Sequence, residues 1–148
     1  MKKKRLAKAS PRAAEKPAQV VRVSAKMVET PVSYLEVYIR EPVTADSMVG
    51  ILDCVRTEVL RYRPKRVLVD LLEASVALTI SDMNGLAKLV AGSFAGVIDK
   101  IALVLRPEDV LAERFFEPSV NSRGLPTLVT TDLEEGIYWL AAKLKTAR

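Results

Sequence analysis

The stretch KRVLVDLLEASVALTISDMN, residues Lys65–Asn84, decides the fold. It begins with a short apolar run, Arg66–Val69, that ends at Asp70 and is too brief and too continuous for an amphipathic helix. Such a run is typical of a strand buried on both faces, so we predict that it is the central strand of a sheet. Ser81 and Asp82 stand just ahead of a helical apolar pattern. We expect the binding site at this junction, because ligands and partners of open α/β sheets meet the carboxyl ends of strands.

Strands and helices alternate on both sides of this stretch. Two runs with every second residue apolar predict a leading antiparallel hairpin, and two later apolar runs predict further strands. Helical patterns separate the strands from residue 44 onward. The predicted fold is an α/β domain with a four- to five-stranded, mostly parallel sheet, an N-terminal antiparallel hairpin and about four helices. The predicted strands are Gln19–Lys26, Tyr34–Arg40, Arg66–Asp70, Lys100–Leu105 and Leu125–Thr130.

Polar residues and breakers mark the expected ends of the helices. Thr44, Ser81, and either Thr131 or Asp132 are predicted N-caps, since their side-chain oxygens can accept from orphan backbone N–H groups. A glycine at position 92 or 96 should turn the chain into the next strand. Pro107 should open a third helix, Pro118 should kink it or end it early, and Pro126 predicts an edge position or a strand start. These caps and breakers therefore mark the boundaries between segments with the apolar periodicity of a strand and segments with that of a helix.

Charge is distributed unevenly along the 148 residues, whose formal net charge is +5. Residues 1–18 carry seven Lys or Arg against one Glu, so the rest of the chain is slightly acidic. We expect a flexible basic arm over residues 1–18 and a single domain over residues 19–148. The arm either keeps the protein soluble or makes weak contacts with nucleic acid or an anionic surface. Its main cations are Lys2, Lys3, Lys4, Arg5 and Lys8.

The sequence has no signal-like apolar segment and no run long enough for a membrane span, so a cytoplasmic protein is expected. Cys54 is the only cysteine, which excludes an internal disulfide and a CxxC metal or redox motif. It lies in a helical apolar pattern and is interpreted as a small core or near-core residue.

Catalytic signatures are missing from the sequence. The chain has no histidine, which removes His-based triads and His metal ligands. Neither of the two common glycine-rich phosphate-binding motifs follows a predicted strand. Acids such as Asp70 and Asp132 stand where caps and turns are expected, and a phospho-receiver role for Asp70 lacks the further acids and lysine that it needs. We therefore expect no enzyme activity, no cofactor and no metal site.

Several segments together resemble the STAS fold, and especially its SpoIIAA-like, STAS/SEC14-type bacterial branch. The likeness covers roughly residues 34–144. It consists of the order of elements, the strands KRVLVDLLEA and KIALVLRPED, the FFEP segment before Arg123-Gly124, and the ending TTDLEEGIYWL.

The resemblance implies a non-enzymatic regulatory or scaffolding module that binds a partner protein. Typical members carry a phosphorylated serine in an Asp-Ser-Ser-Gly type motif at the start of the helix after the central strand. That motif is not intact here, where residues 78–83 read LTISDM. Ser81 is the nearest positional match and Thr79 the second, and the alternative interpretation of Ser81 is a simple N-cap. The predicted partner-binding residues are Glu73, Ser75, Thr79, Ser81, Asp82 and Asn84.

Two further interpretations stay open. In the first, Phe94, Phe115, Phe116 and Trp139 line a space for a small hydrophobic ligand, although aromatic residues at helical spacing are more often core residues. In the second, the chain forms a homodimer through the leading hairpin or through a sheet edge.

Overall fold

The computed structural model describes residues 23–109 and 112–143. The predictions made for residues 1–22, including the basic arm and the start of the first strand, lie outside these ranges. The described strands are Val23–Val28 (β1), Tyr34–Ile39 (β2), Val43–Thr44 (β3), Arg66–Asp70 (β4), Val76–Ala77 (β5), Lys100–Val104 (β6) and Thr127–Thr130 (β7). The described α-helices are Met48–Tyr62 (α1), Ile80–Phe94 (α2), Glu117–Asn121 (α3) and Leu133–Ala141 (α4).

The main sheet has the order β1-β2-β4-β6-β7. Strand β1 is antiparallel to β2, and the other neighbours are parallel. The predicted hairpin at one side of the sheet and the predicted central position of β4 are both confirmed. A second, two-stranded parallel sheet joins β3 to β5 and was not predicted, because strands of two residues carry no periodic signal.

The middle of strand β4 is apolar because both faces of the sheet are covered at its position. Val67 and Val69 belong to the larger core cluster, together with side chains of α1 and α2. Leu68 points to the opposite face and packs in a smaller cluster with Leu140 of α4. We call the face covered by α1 and α2 the inner face and the face that carries α4 the outer face. This arrangement is the one that right-handed crossovers between parallel strands produce.

The start of α2 differs from the prediction. Thr79 is the N-cap, and its Oγ1 accepts a hydrogen bond from the Asp82 backbone N–H at 3.0 Å. The Asp82 carboxylate in turn accepts from the Thr79 backbone N–H at 3.0 Å. This reciprocal capping box satisfies two donors at once, so the helix begins two residues earlier than an N-cap at Ser81 predicts. The prediction that Ser81 is the N-cap is wrong, and Ser81 lies exposed within the first turn.

The other helix starts give mixed results. Thr44 does not cap α1, which begins after Ser47, because the side chains of Thr44 and Ser47 hydrogen-bond to each other and to nearby backbone. Asp132 caps α4 as predicted, and its carboxylate accepts from the Glu134 backbone N–H at 3.0 Å. Gly96 has φ of +80° and makes the predicted turn after α2.

The predicted third helix is divided into three pieces. A 3₁₀ turn covers Pro107–Asp109, a π-helical segment covers Ala112–Phe116, and α3 follows. Pro118 lies in the first turn of α3, where its missing N–H costs nothing, so it begins a helix instead of ending one. Pro126 precedes the edge strand β7, as predicted for a proline at a strand start.

Candidate functional site

Four parallel strands end together at one edge of the main sheet. Tyr38, Asp70, Val104 and Thr130 are aligned across β2, β4, β6 and β7. The loops after these strands and the first turns of α1, α2 and α4 therefore share one side of the molecule, which we call the carboxyl edge. The opposite side, where the parallel strands begin, is the amino edge. The carboxyl edge is the place where open α/β sheets bind their partners.

Among the residues that the structure describes, the two edges carry opposite charge. The acidic side chains at the carboxyl edge are Glu41, Asp46, Asp70, Glu73, Asp82, Glu108, Asp109, Asp132, Glu134 and Glu135, and the basic ones are Arg40 and Arg106. The basic side chains at the amino edge are Arg61, Arg63, Lys65, Arg66, Lys100, Arg123 and Lys143, and the acidic ones are Glu29, Glu58 and Asp99. The near-neutral composition of the domain hides this separation, because the basic excess at the amino edge partly offsets the acidic excess at the carboxyl edge.

Most of the predicted partner-binding residues gather at the start of α2. Ser75 directly precedes β5 of the short second sheet, and its carbonyl accepts from the Val43 backbone N–H at 2.7 Å. Thr79 and Asp82 form the capping box, so their polar groups already serve the helix. Ser81 and Asn84 are exposed on the first turns of α2 and leave their side chains to solvent.

Glu73 stands apart from this group. Its carboxylate accepts a hydrogen bond from the Tyr38 hydroxyl, and this bond is the main reason why the pKa of Tyr38 is raised above its ordinary value of 10.0. The guanidinium of Arg40 lies 5.3 Å from the centre of the Tyr38 ring. Glu73 thus forms a cluster with Tyr38 and Arg40 at the end of β2. The predicted binding face included Glu73 but not these two residues.

This cluster borders an open depression on the outer face. Helix α4 packs over β4, β6 and β7, so the half of the outer face formed by β1 and β2 is uncovered by it. The depression has a volume of about 350 Å³. The buried Asp70 at its margin accepts from the Leu72 backbone N–H at 3.0 Å, which confirms a turn role for this carboxylate. The lining residues are Ser24, Ala25, Lys26, Glu36, Tyr38 and Asp70. In the sequence, this surface is indicated by the alternation of apolar and polar residues in β2, because the polar residues lie on one face of the strand.

A second depression separates the start of α2 from the 3₁₀ turn. Its volume is about 290 Å³, and Thr79, Glu108 and Asp109 supply its polar lining. Arg106 approaches Asp109 at 4.0 Å, but Arg106 Nε and Asp109 Oδ2 are buried without a hydrogen-bond partner. Burial raises the pKa of the Asp109 carboxyl, and Arg106 opposes that rise. Sequence reasoning missed this depression because the two segments are separated by a complete strand.

An apolar crevice lies between the inner face of the sheet and helices α1 and α2. It encloses about 80 Å³, and an adjoining apolar space adds about 50 Å³. Phe94 and Phe116 line the crevice, as the ligand interpretation expected. Trp139 lies on the outer face, where its ring packs under Lys100, so the prediction that all the aromatic residues line one space is wrong. The alternation of β4 side chains explains the separation, since α2 and α4 cover opposite faces.

The described residues contain no group of three Cys, Asp or Glu side chains arranged to hold a metal ion. None of the described helices is long and apolar enough to cross a membrane. Cys54 is half-buried in α1 as expected, and burial raises the pKa of its thiol.

The fold is similar to that of an uncharacterized protein from the DUF3478 family with a SpoIIAA-like fold from Shewanella loihica PV-4. The TM-score is 0.54 at 10% sequence identity, over 86% of this chain and 100% of that chain. No family model matches the sequence, and no curated protein matches it. The chain therefore has a SpoIIAA-like fold, and the fold implied by the sequence resemblance is confirmed. Function must be argued from the site, because similarity at this identity concerns the fold alone.

Proposed function

We propose that the protein is a non-enzymatic regulatory module that binds a partner protein through the carboxyl edge, around the start of α2. The observation that carries this proposal is the acidic excess at that edge, within a domain that is nearly neutral as a whole. Ser81 and Asn84 add exposed polar side chains on the first turns of α2. Such a one-signed surface attracts a complementary partner and orients it before contact.

The partner expected from this charge is a protein surface rich in lysine and arginine. Rim charges contribute chiefly to association rate and specificity, so binding should weaken as ionic strength rises. The depression beside Thr79, with Glu108 and Asp109 on its far wall, offers a concave place for one basic side chain of the partner.

Phosphorylation of Ser81 is part of this proposal. Ser81 is exposed in the first turn of α2, where the helix dipole favours a phosphate. A phosphate would add about −1.5 to −2 charges and should strengthen binding to a basic partner. Thr79 is the weaker candidate, because its hydroxyl already accepts the bond from the Asp82 N–H.

Charge reversal at the two edges tests the binding face. The full-length protein and a Glu108→Lys, Glu134→Lys double variant are used as baits in the native host, with recovery measured by quantitative mass spectrometry at two salt concentrations. Both sites are exposed and neither residue caps a helix. A Lys65→Glu, Arg123→Glu variant is the matched control, because it reverses two exposed charges at the amino edge.

The proposal expects a salt-sensitive partner that the carboxyl-edge variant loses by at least about tenfold and the control retains. Equal recovery by the two variants would remove the carboxyl edge as the binding face. A Ser81→Asp bait adds the phosphorylation test, and we expect it to recover more of the same partner.

The apolar crevice favours a second candidate function, the binding of a small hydrophobic molecule. Its lining is entirely apolar, and the half-buried Met48, Leu86 and Leu103 lie at its margin. However, a volume of about 80 Å³ is well below the roughly 150 Å³ of an engineered cavity that holds benzene, so α1 and α2 would have to separate. Native mass spectrometry of the purified protein tests this function, and the absence of any added mass would count against it.

A basic arm that contacts nucleic acid remains a prediction from the sequence. Deletion of residues 1–18 should then abolish a salt-dependent affinity for nucleic acid, while the charge reversals at the carboxyl edge should leave that affinity intact.

A further inference from the structure

The two edge strands of the main sheet, β1 and β7, differ in the hydrogen bonding of their outward backbone groups. At β7, side chains of α3 bond to the outward backbone groups. The Thr127 N–H donates to Asn121 Oδ1 at 2.9 Å, and the Thr127 carbonyl accepts from Asn121 Nδ2 at 2.9 Å. The Val129 N–H donates to Glu117 Oε1, also at 2.9 Å. These bonds close the β7 edge to another strand, which is a common protection against edge-to-edge pairing.

Strand β1 has no comparable cover among the described residues. It is the longer edge strand, with six residues against four, and its described backbone hydrogen bonds go to β2. Lys26 is the charged residue of this strand, and it is paired with Glu36 on β2 at 3.7 Å. Within the described residues, the outward N–H and C=O groups of β1 therefore offer a template for a further strand.

We propose that the occupant of this edge is β1 of a second copy of the chain, paired antiparallel about a twofold axis. An antiparallel pair of identical strands is self-complementary, as a closed dimer requires. The result would be one continuous ten-stranded sheet across the two copies, since each main sheet has five strands.

Side-chain identity selects the register of this pair. With Ala25 on the axis, Val23 faces Met27 of the second copy on the inner side, and Ser24 faces Lys26 of the second copy on the outer side. Apolar residues then meet apolar residues, and no like charges are opposed. With Lys26 on the axis, two lysines would face each other directly, which is destabilising. The register centred on Ala25 is therefore preferred to the one centred on Lys26.

Antiparallel pairing also determines how the sheet edges of the two copies are placed. Antiparallel pairing of β1 reverses the strand direction from one copy to the other. The acidic carboxyl edge of each copy consequently lies on the same side as the basic amino edge of its mate. A parallel arrangement would put like edges side by side and would not close.

The expected dimer is weak. Pairing of single six-residue strands buries less than the roughly 1,200–2,000 Å² typical of stable interfaces, so we expect a dissociation constant in the micromolar range. Sedimentation velocity on the full-length chain, from about 1 to about 200 μM, should show a reversible monomer–dimer equilibrium centred in that range.

Charge variants at one exposed position test the pairing. Ser24→Lys places a cation opposite Lys26 twice in each dimer, and we expect it to raise the dissociation constant about tenfold. Ser24→Glu places an anion there and should lower the constant by a similar factor. Because Ser24 is exposed on an edge strand, both variants should fold, which circular dichroism would check.

Cysteine substitutions test the register, in a Cys54→Ser background. Ala25→Cys should form a disulfide-linked dimer under mild oxidation, because this residue faces its own copy across the axis. Lys26→Cys is the matched control and should crosslink poorly. Preferential crosslinking of the Lys26→Cys variant would overturn the register.

Two results would overturn the proposal itself. One is a full-length chain that stays monomeric at the highest concentration. The other is a chain that dimerises only after deletion of residues 1–18, since the edge would then be covered by the chain's own N-terminal segment. The proposal stands independently of partner binding at the carboxyl edge, because Ser24 lies outside the residues changed in that test.

Discussion

The amino edge and the carboxyl edge of the sheet use their charges for different purposes. At the amino edge, Lys100 is only 3% exposed, and its Nζ donates to the carbonyls of Trp139 and Ala142 at 2.7 and 2.6 Å. A cation there donates to carbonyls at the end of α4 and interacts favourably with the helix dipole. At the carboxyl edge, Ser81 and Asn84 remain exposed. The buried cation at the amino edge thus holds the fold together, whereas the carboxyl edge combines capping carboxylates with exposed polar side chains that are available for binding.

The largest expected effect comes from Lys100. Lys100→Ala should lower the free energy of unfolding by about 3 kcal/mol, because it removes two charge-assisted hydrogen bonds to the end of α4 and the packing of the lysine stem on Trp139. Urea denaturation measures this change. Lys65→Ala is the matched control at the same edge, and its exposed side chain should contribute less than about 0.5 kcal/mol. Equal losses of stability in the two variants would show that the buried Lys100 contributes no more to the fold than the exposed Lys65.

The next effect concerns the capping box. Thr79→Ala should cost about 1 kcal/mol in the free energy of unfolding, because the Asp82 N–H loses its acceptor at the start of α2. Denaturation at neutral pH checks this value. A cost near zero would mean that water replaces the threonine, and Thr79 would then be as available to a partner as Ser81.

A smaller effect is expected for Tyr38 at alkaline pH. The hydrogen bond to Glu73 requires the neutral hydroxyl, so the folded-state pKa of Tyr38 lies above the unfolded value of 10.0. Its contribution to stability is fully present below pH 10 and is lost as pH rises through the folded-state pKa. The stability difference between the wild type and Tyr38→Phe should therefore shrink above that pH.

Glu73→Gln provides the control for this titration. The amide still accepts a hydrogen bond but carries no charge, so the tyrosine pKa should fall toward its ordinary value. Ultraviolet titration of the tyrosinate absorbance measures the change. An unchanged titration curve would show that Glu73 is not the partner of Tyr38 in solution.

The smallest effect on stability is expected for Ser81→Ala. Its exposed side chain does not cap the helix, so the free energy of unfolding should change by less than about 0.5 kcal/mol. A loss of about 1 kcal/mol or more would indicate that Ser81 contributes to the start of α2 after all, and the contrast with Thr79 would disappear.

Local patterns predicted the fold well because they act over a few residues. The continuous apolar run before Asp70 requires burial on both faces, and the alternation in Tyr34–Arg40 requires one covered face. Helix starts were less predictable. Thr79 and Ser81 are both good cap residues, and only the reciprocal bonds with Asp82 decide between them.

The sequence by itself determined the order of the elements, the central position of β4, the hairpin at one side and the absence of the usual catalytic motifs. Each of these follows from periodicity or from residue types that are present or missing. Only the tertiary structure decided which distant residues meet. Lys100 lies 39 positions from Trp139, and Arg66 bonds to Ser33 across 33 positions. The opposite charge of the two sheet edges depends on the same long-range assembly, because parallel strands bring loops that are far apart in the chain to one side of the molecule.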